Sequence, residues 1–304
     1  MPPDPADWSS LSDQTELAND LFGARGQALV ASWLAEEMGR IDDPEFARQF
    51  AEHVDLPGVA PGDYAHRLVR SSRGMLVGEI RFYGRNVERP FIEVVCHTFA
   101  DLSDLRDCVR AEWSMFAPPF LRVHAQPGRI TGPNVVLDMS VYAARSGDLH
   151  RPDGWVSLAP FDDPEDAVEL VRRRYEHLAA EQPELARNLS PASPADLCQW
   201  HAAGRLSAIR IAGGTVGLLA IAPGRIGWIQ GEEINEEIVD VDHRGHGYAA
   251  EAQRYWARSV AGNPDRLLVG TIDRLNAASR KTAERAGRRR VLDAVFVSLP
   301  TRGD

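Results

Sequence analysis

The chain has 304 residues, 44% hydrophobic and 26% charged, with a formal net charge of -10. That length allows one large domain or two of ordinary size. The acidic balance excludes a broad nucleic-acid surface, which needs clustered Lys and Arg.

The first ten residues are rich in Pro, Asp and Ser and are expected to be disordered. Helical spacing of apolar residues runs from Thr15 to about Arg40, with Leu17, Leu21, Leu29, Trp33 and Leu34 on it. A short helix follows over Pro44 to His53. The segments 74–84 and 90–99 are rich in β-branched and aromatic residues and predict strands. A helix over 101–116 carries Asp101 or Ser103 as its cap. Strands follow over 119–125 and 135–144. Turn residues from Gly147 to Gly154 mark the expected boundary between an α/β domain over 1–148 and a second domain over 149–304.

The second half opens with a short strand at Trp155. Asp163 and Pro164 then start a helix with Ala167, Val168, Val171, Tyr175 and Leu178 on one stripe. A second helix ends at Gly204, and a hairpin turns at Gly213–Gly214. A long strand covers about Gly227 to Val241. The rest alternates: a helix to about Ala261, a strand at 266–272, a helix from Asn276 to Ala286 and a final strand. The whole is a mixed-sheet α/β pattern, and the similar element order of the two halves suggests a faint duplication.

Three cysteines, Cys96, Cys108 and Cys198, are too few and too scattered for a disulfide framework or a zinc site. His243 and His246 lie close together but lack an evident third ligand, so no metal is expected. The N-terminus has no basic and apolar leader, and no apolar run is long enough to span a bilayer. A cytoplasmic protein without a membrane partner is the expectation.

The chemistry gathers at the end of the long strand, in "VDVDHRGHGYAA". Gly245 and Gly247 allow a tight turn and a close backbone approach. The helix that follows presents unpaired N–H groups and its dipole, which suits a phosphate. Two motifs fit. Gly245 to Ala250 has the form G-x-G-x-x-A of a dinucleotide site, with Asp273 near the position of a ribose-binding acid. The antiparallel hairpin upstream speaks against that reading, because dinucleotide halves are built from parallel units.

The second motif, Arg244-Gly245-His246-Gly247-Tyr248-Ala249, resembles the coenzyme A pyrophosphate loop of the GNAT N-acetyltransferase superfamily. Asn276 and Gly287, opening and closing a helix, resemble that superfamily's C-terminal strand–helix pair. The resemblance implies a GNAT-like acyl-CoA N-acyltransferase fold, with the first half a degenerate tandem copy lacking the loop. It implies acetyl-CoA as co-substrate and a small-molecule or peptide amine as acceptor. Arg244, Gly245, His246, Gly247, Tyr248, Ala249 and Asn276 would bind the coenzyme, with Val239 and Val241 beside its pantetheine arm. Glu233 and Glu237 would be the catalytic carboxylates, because a protonated amine must lose a proton before it attacks a thioester. Period-2 alternation puts Glu233, Asn235, Glu237, Val239 and Val241 on one face. The sequence departs from the family where a Tyr often protonates the leaving thiolate: Ala283 stands there, and Arg288 replaces the usual Phe. A non-catalytic acyl-CoA sensor is therefore the alternative, and a nicotinamide-dependent oxidoreductase the third reading. Arg285, Arg288, Arg289 and Arg290 complement a helix C-terminus or meet a phosphate.

Overall fold

In the computed structural model, which describes residues 4–54 and 56–299, glycines break the single helix that the spacing predicts over Thr15–Arg40. Helix α1 spans Ser12–Phe22 and α2 spans Gly26–Met38. Gly23, at φ 61, ends the first. Gly26 lets the second approach closely: a Cβ there would lie 2.3 Å from the Ala18 carbonyl carbon. The apolar period continues across a corner, so pattern alone reads through it.

Residues 4–11 are ordered, against the expectation of disorder. Trp8 and Leu11 are buried with Leu34, Val77, Val95 and Cys96. Two large apolar side chains dock a segment that composition reads as polar. Ser10 Oγ also accepts a hydrogen bond from the His97 N–H at 2.8 Å. Residues 1–3 lie outside the described residues.

The chain forms two compact units, Met1–Met139 with Leu292–Asp304, and Ser140–Val291. The division expected at 148/149 is continuous in sequence, whereas here the C-terminal strand belongs to the first unit.

In the first unit, α3 (Pro44–Ala51) is capped by Asp43. Then come β1 (Arg67–Ser71), which the sequence reading left out, β2 (Gly74–Phe82), β3 (Pro90–His97), α4 (Leu102–Glu112) and β4 (Phe120–Ala125). Strand β5 (Val135–Arg145) contributes residues to both units. The first unit's sheet runs β1-β2-β3-β4 and continues with the chain's last strand, Arg289–Ser298, antiparallel to β4. Ile80, Ile92, Trp113 and Leu121 fill its core without exposure. Glu37, His66 and Glu79 gather as a buried group of metal-ligand type that their distance in sequence hides. Arg40 and Arg81 hold the two carboxylates, each at 2.6 Å, so the group is an ion-pair network.

The second unit contains β6 (Ser157–Ala159), α5 (Pro164–Glu181), α6 (Pro183–Ala186), α7 (Pro194–Ala202), β7 (Leu206–Ile211), β8 (Gly214–Ile226) and β9 (Ile229–Val239). It continues with α8 (Tyr248–Ser259), β10 (Leu267–Asp273) and α9 (Ala277–Ala286), and the last strand of the chain is β11 (Arg289–Ser298). Its strand order is β5-β10-β9-β8-β7-β6. The β7–β8 hairpin turns through Ala212 at φ 49 and Gly213 at φ 85. One core packs α8 against the sheet through Ala250, Ala252 and Ala257, with Ile221 and Leu268. A second packs α5 and α7 against Ala220 and Ile238 on the opposite face. Among the described residues no helix is long and apolar enough to cross a membrane.

The two units repeat one device. Strand β9 pairs in parallel with β10 only at Glu232–Leu268 and Glu233–Val269, and β3 with β4 only at Ile92–Leu121 and Glu93–Arg122. Two residues past Glu233 the β8–β9 register slips around Asn235, and two past Glu93 the β2–β3 register slips around Val95. In each unit a bulge therefore follows the last paired residue, and the two parallel strands separate beyond it. The same irregularity thus recurs in both units.

Replacing Gly26 with Ala should lower the midpoint of thermal unfolding, because the new methyl meets Ala18 backbone that cannot retreat. Overpacking of this kind costs ~1–3 kcal/mol. Gly62→Ala, where nothing lies within 4 Å of the new Cβ, should leave the midpoint within about 0.5 kcal/mol of wild type.

Candidate functional site

The bulge at Asn235 decides where the acidic side chains of β9 go. Ile234, paired with Ile221, packs in the α8-side core, so Glu233 points to the α5 side. There its Oε2 occupies space that a Cβ on Gly224 would need. Past the bulge the alternation is inverted. Glu236 faces α5 and accepts hydrogen bonds from Ala192 N–H at 3.1 Å and from the Tyr175 hydroxyl at 3.5 Å. Glu237 faces α8. The shared face expected for Glu233 and Glu237 is thus wrong, and the inserted residue is the reason. Val239 does lie on the Glu237 face, packed in the α8-side core. Val241 lies beyond the strand, in a 3-10 turn over Val241–His243, and is exposed.

Glu237, half-buried, is held by two buried side chains in a network that the sequence does not reveal. Gln253, with no exposed surface, donates from Nε2 to both Glu237 oxygens at 2.8 and 3.0 Å. Its Oε1 accepts from Arg288 Nε at 3.0 Å. An arginine is only a donor and a carboxylate only an acceptor, so these partners fix which way the amide points. Burial pushes the Glu237 carboxyl up to about 7, against an opposing pull from Arg288. Burial likewise lowers the Arg288 guanidinium to about 10. Arg288 is therefore neither a solvated dipole partner nor a surface phosphate ligand. It is 4% exposed and also reaches the Tyr142 carbonyl at 3.4 Å. Burial raises the Glu233 carboxyl too, and no charged partner counters it.

A cavity of about 150 Å³ opens where β9 leaves β10. Glu237, Ile238, Thr271, Asn276, Arg174 and Arg288 are among the residues lining it, and Glu233 is not. A second cavity, of about 400 Å³, is lined by Arg174, His177, Ile238, Asp240 and Arg244. Arg174 and Ile238 border both. Arg244 donates to Glu181 at 2.9 Å through one terminal nitrogen, and its other is buried without a partner. One Arg174 nitrogen is in the same position. Burial and then the neighbouring Arg244 hold the Arg174 guanidinium below its ordinary value. Two incompletely satisfied cations border one groove, an arrangement suited to an anion. Arg174 was missed in the sequence because it is one of three consecutive arginines on a helix that looks solvated.

The glycine turn follows Arg244 directly in the chain. Gly245 and Gly247 have φ 85 and 82, and Gly247 is the α8 N-cap, without a side-chain hydrogen bond to the helix. The first unit differs at the matching point. There Asp101 caps α4 and takes the Ser103 N–H at 2.7 Å. The α8 amides are left free of such a cap. Tyr248 and Ala249 form the first turn of α8, and His246 is exposed and stacks on Tyr248. Asn276 caps α9 by accepting from Ser279 N–H at 3.0 Å while lining the smaller cavity. Asp273 is held within its own turn by Leu275 N–H at 2.7 Å and by Asn188 at 3.0 Å. Those bonds occupy the carboxylate that the dinucleotide reading needs.

No protein-family profile matches the chain, and neither does any curated protein. Solved structures do. An acetyltransferase of the GNAT family from Colwellia psychrerythraea is 12% identical, with TM-score 0.47, over 84% of this chain and 95% of its own. A GCN5-related N-acetyltransferase from Sphaerobacter thermophilus is 15% identical, with TM-score 0.48, over 97% of this chain and 93% of its own. A tandem GNAT protein from the clavulanic acid biosynthesis pathway is 13% identical, with TM-score 0.42, over 86% of this chain and 97% of its own.

The raised Glu237 carboxyl has a stability signature. The fold favours its protonated form, so that contribution is complete below the ordinary value of 4.5 and is lost as pH rises through about 7. Glu237→Gln removes the titration. The stability of wild type relative to this variant should fall by ~1–3 kcal/mol between pH 4.5 and pH 7.5 in urea unfolding. A difference that stays flat with pH would show that the carboxyl is not raised.

Proposed function

We propose that the protein is an acyl-CoA-dependent N-acyltransferase, with acetyl-CoA as donor and a small-molecule or peptide amine as acceptor. One observation carries the reading. The cavity that opens between two separated parallel strands is lined by Glu237, a half-buried carboxyl held up to about 7, and its border residues Arg174 and Ile238 also line a groove that extends to Arg244, just ahead of the glycine turn.

The coenzyme pyrophosphate would meet the Gly245–Ala249 turn, Arg244 and Arg174. The pantetheine arm would pass Val239 and Ile238 towards Asn276. In the chemical step the amine nitrogen bonds to the thioester carbonyl carbon, and the carbon–sulfur bond then breaks. Glu237 takes the proton that the ammonium must lose before attack; the thiolate departs with the electron pair of the carbon–sulfur bond and takes up the second proton, which the nitrogen sheds to become a neutral amide, and Glu237 returns its own proton to solvent. Glu237 is preferred to Glu233 as the base because it lines the cavity and its carboxyl is tuned towards neutral pH. Backbone N–H groups of β9 beyond Asn235 would bind the developing oxyanion.

The second reading, acyl-CoA binding without turnover, rests on Ala283. It is fully buried against Tyr142 and Ile272, so α9 offers no acid at that position. A thiol has an ordinary value near 8.5 and leaves without an obligatory donor.

The test is calorimetry and thiol release with a panel of amines. Acetyl-CoA at ~100 times its dissociation constant should stabilise the fold by about 2.7 kcal/mol. Gly247→Val should lose that binding while remaining folded, since a β-branched residue resists φ 82 and narrows the backbone approach. Binding with no thiol released from any amine favours the sensor; no binding at all removes both readings.

Wild-type kcat/KM should rise with pH through about 7. Glu237→Gln should lower it by ~10²–10⁴ at neutral pH, with partial recovery in alkaline buffer and coenzyme affinity kept. If Glu233→Gln behaves this way and Glu237→Gln does not, the base has been assigned to the wrong carboxylate.

A further inference from the structure

Beside the glycine turn stands an aromatic group that phosphate binding does not explain. Trp155 is 43% exposed, unusually wet for the largest apolar side chain. Its ring meets Tyr248 at 5.1 Å and 66°, an edge-to-face contact. Tyr248 also meets His246, stacked at 5.2 Å and 14°. Edge-to-face packing leaves at least one face of Trp155 uncovered by Tyr248, and the side chain is exposed.

The platform is held in place. The residue before it, Gly154, donates its N–H to Glu251 at 2.8 Å, and Glu251 is 1% exposed in the first turns of α8. Arg254 ties Asp153 to the same helix at 3.4 Å. A tryptophan kept exposed by two links to the helix that starts the anion site is unlike a loop residue that failed to find the core. Pre-positioned aromatic faces take up planar rings with little loss of freedom.

We propose that Trp155, supported by Tyr248 and His246, stacks the purine ring of a nucleotide whose phosphates lie on the Gly245–Ala249 turn. This rests on the acyl-CoA reading and narrows its donor class. The protein would take acyl groups borne on a nucleotide-ended thiol, and would discriminate against the same acyl phosphopantetheine carried by a protein, which has no base to stack.

The experiment is calorimetry with three ligands: coenzyme A, 3′-phosphoadenosine 5′-diphosphate and 4′-phosphopantetheine. Wild type, Trp155→Ala, Trp155→Leu and Trp155→Phe are compared, with circular dichroism confirming their folds. Trp155→Ala and Trp155→Leu should weaken both nucleotide ligands about tenfold and leave phosphopantetheine unchanged. Trp155→Phe, which keeps a stacking face, should recover most of the loss. Equal nucleotide affinity in wild type and Trp155→Ala overturns the platform while leaving the acyl-CoA reading standing. Equal weakening of all three ligands also overturns it, since that marks a disturbed turn. Failure of wild type to bind coenzyme A or the nucleotide removes the acyl-CoA reading and the platform together.

Discussion

One extra residue in β9 sets the geometry on which the candidate site depends. Asn235 has no partner on β8, and from that point the strand has no β10 partner in register. A sheet interior is normally sealed by its own ladder, with every edge group paired. Here the seal is opened locally, and the fold tolerates it because α8 on one face and α5 with α7 on the other keep their own packed cores. The opening borders the cavity lined by Glu237, Thr271 and Asn276. It also turns Glu237 inward, into surroundings dry enough to move its carboxyl.

That inward turn would be a liability if the carboxylate stood alone. Gln253 and Arg288 make it tenable. Arg288 supplies the opposing charge, and Gln253 transmits it through an oriented amide. Direct pairing of Arg288 with Glu237 would hold the carboxyl ionised and closely engaged. An amide between them leaves the carboxyl near 7, so it can gain and lose a proton at physiological pH. Arg288, directly after Gly287, is itself buried, and its charge opposes the effect of burial on the Glu237 carboxyl.

Much of this was legible in the residues. Pro, Gly and capping signals placed α5, α7, α9 and the β7–β8 hairpin, because those signals act within a few residues. The Gly245–Gly247 turn was legible for the same reason: positive φ and an absent Cβ are local demands. What failed was non-local or irregular. The α1–α2 corner failed because the apolar period survives a glycine break. The Glu233–Glu237 face failed because alternation has no memory of an inserted residue. Arg174 and Trp155 were passed over because a charge run and a lone aromatic near a turn carry no signal of what packs beside them.

Both units carry the same slip two residues past the last parallel pair, yet their surroundings differ. The first unit has a cavity of about 430 Å³ at its own strand separation, lined by Val95, His97, Val123 and His124, but two groups beside it are already engaged. Asp101 occupies an α4 amide, and it would repel an anion by its own charge. Ser10 accepts from the His97 N–H on the strand beyond the bulge. The second unit has glycine in place of the acid, with the helix start left uncapped. At this point the two units therefore differ by a capping carboxylate, two glycines and guanidinium groups with nitrogens left unpartnered.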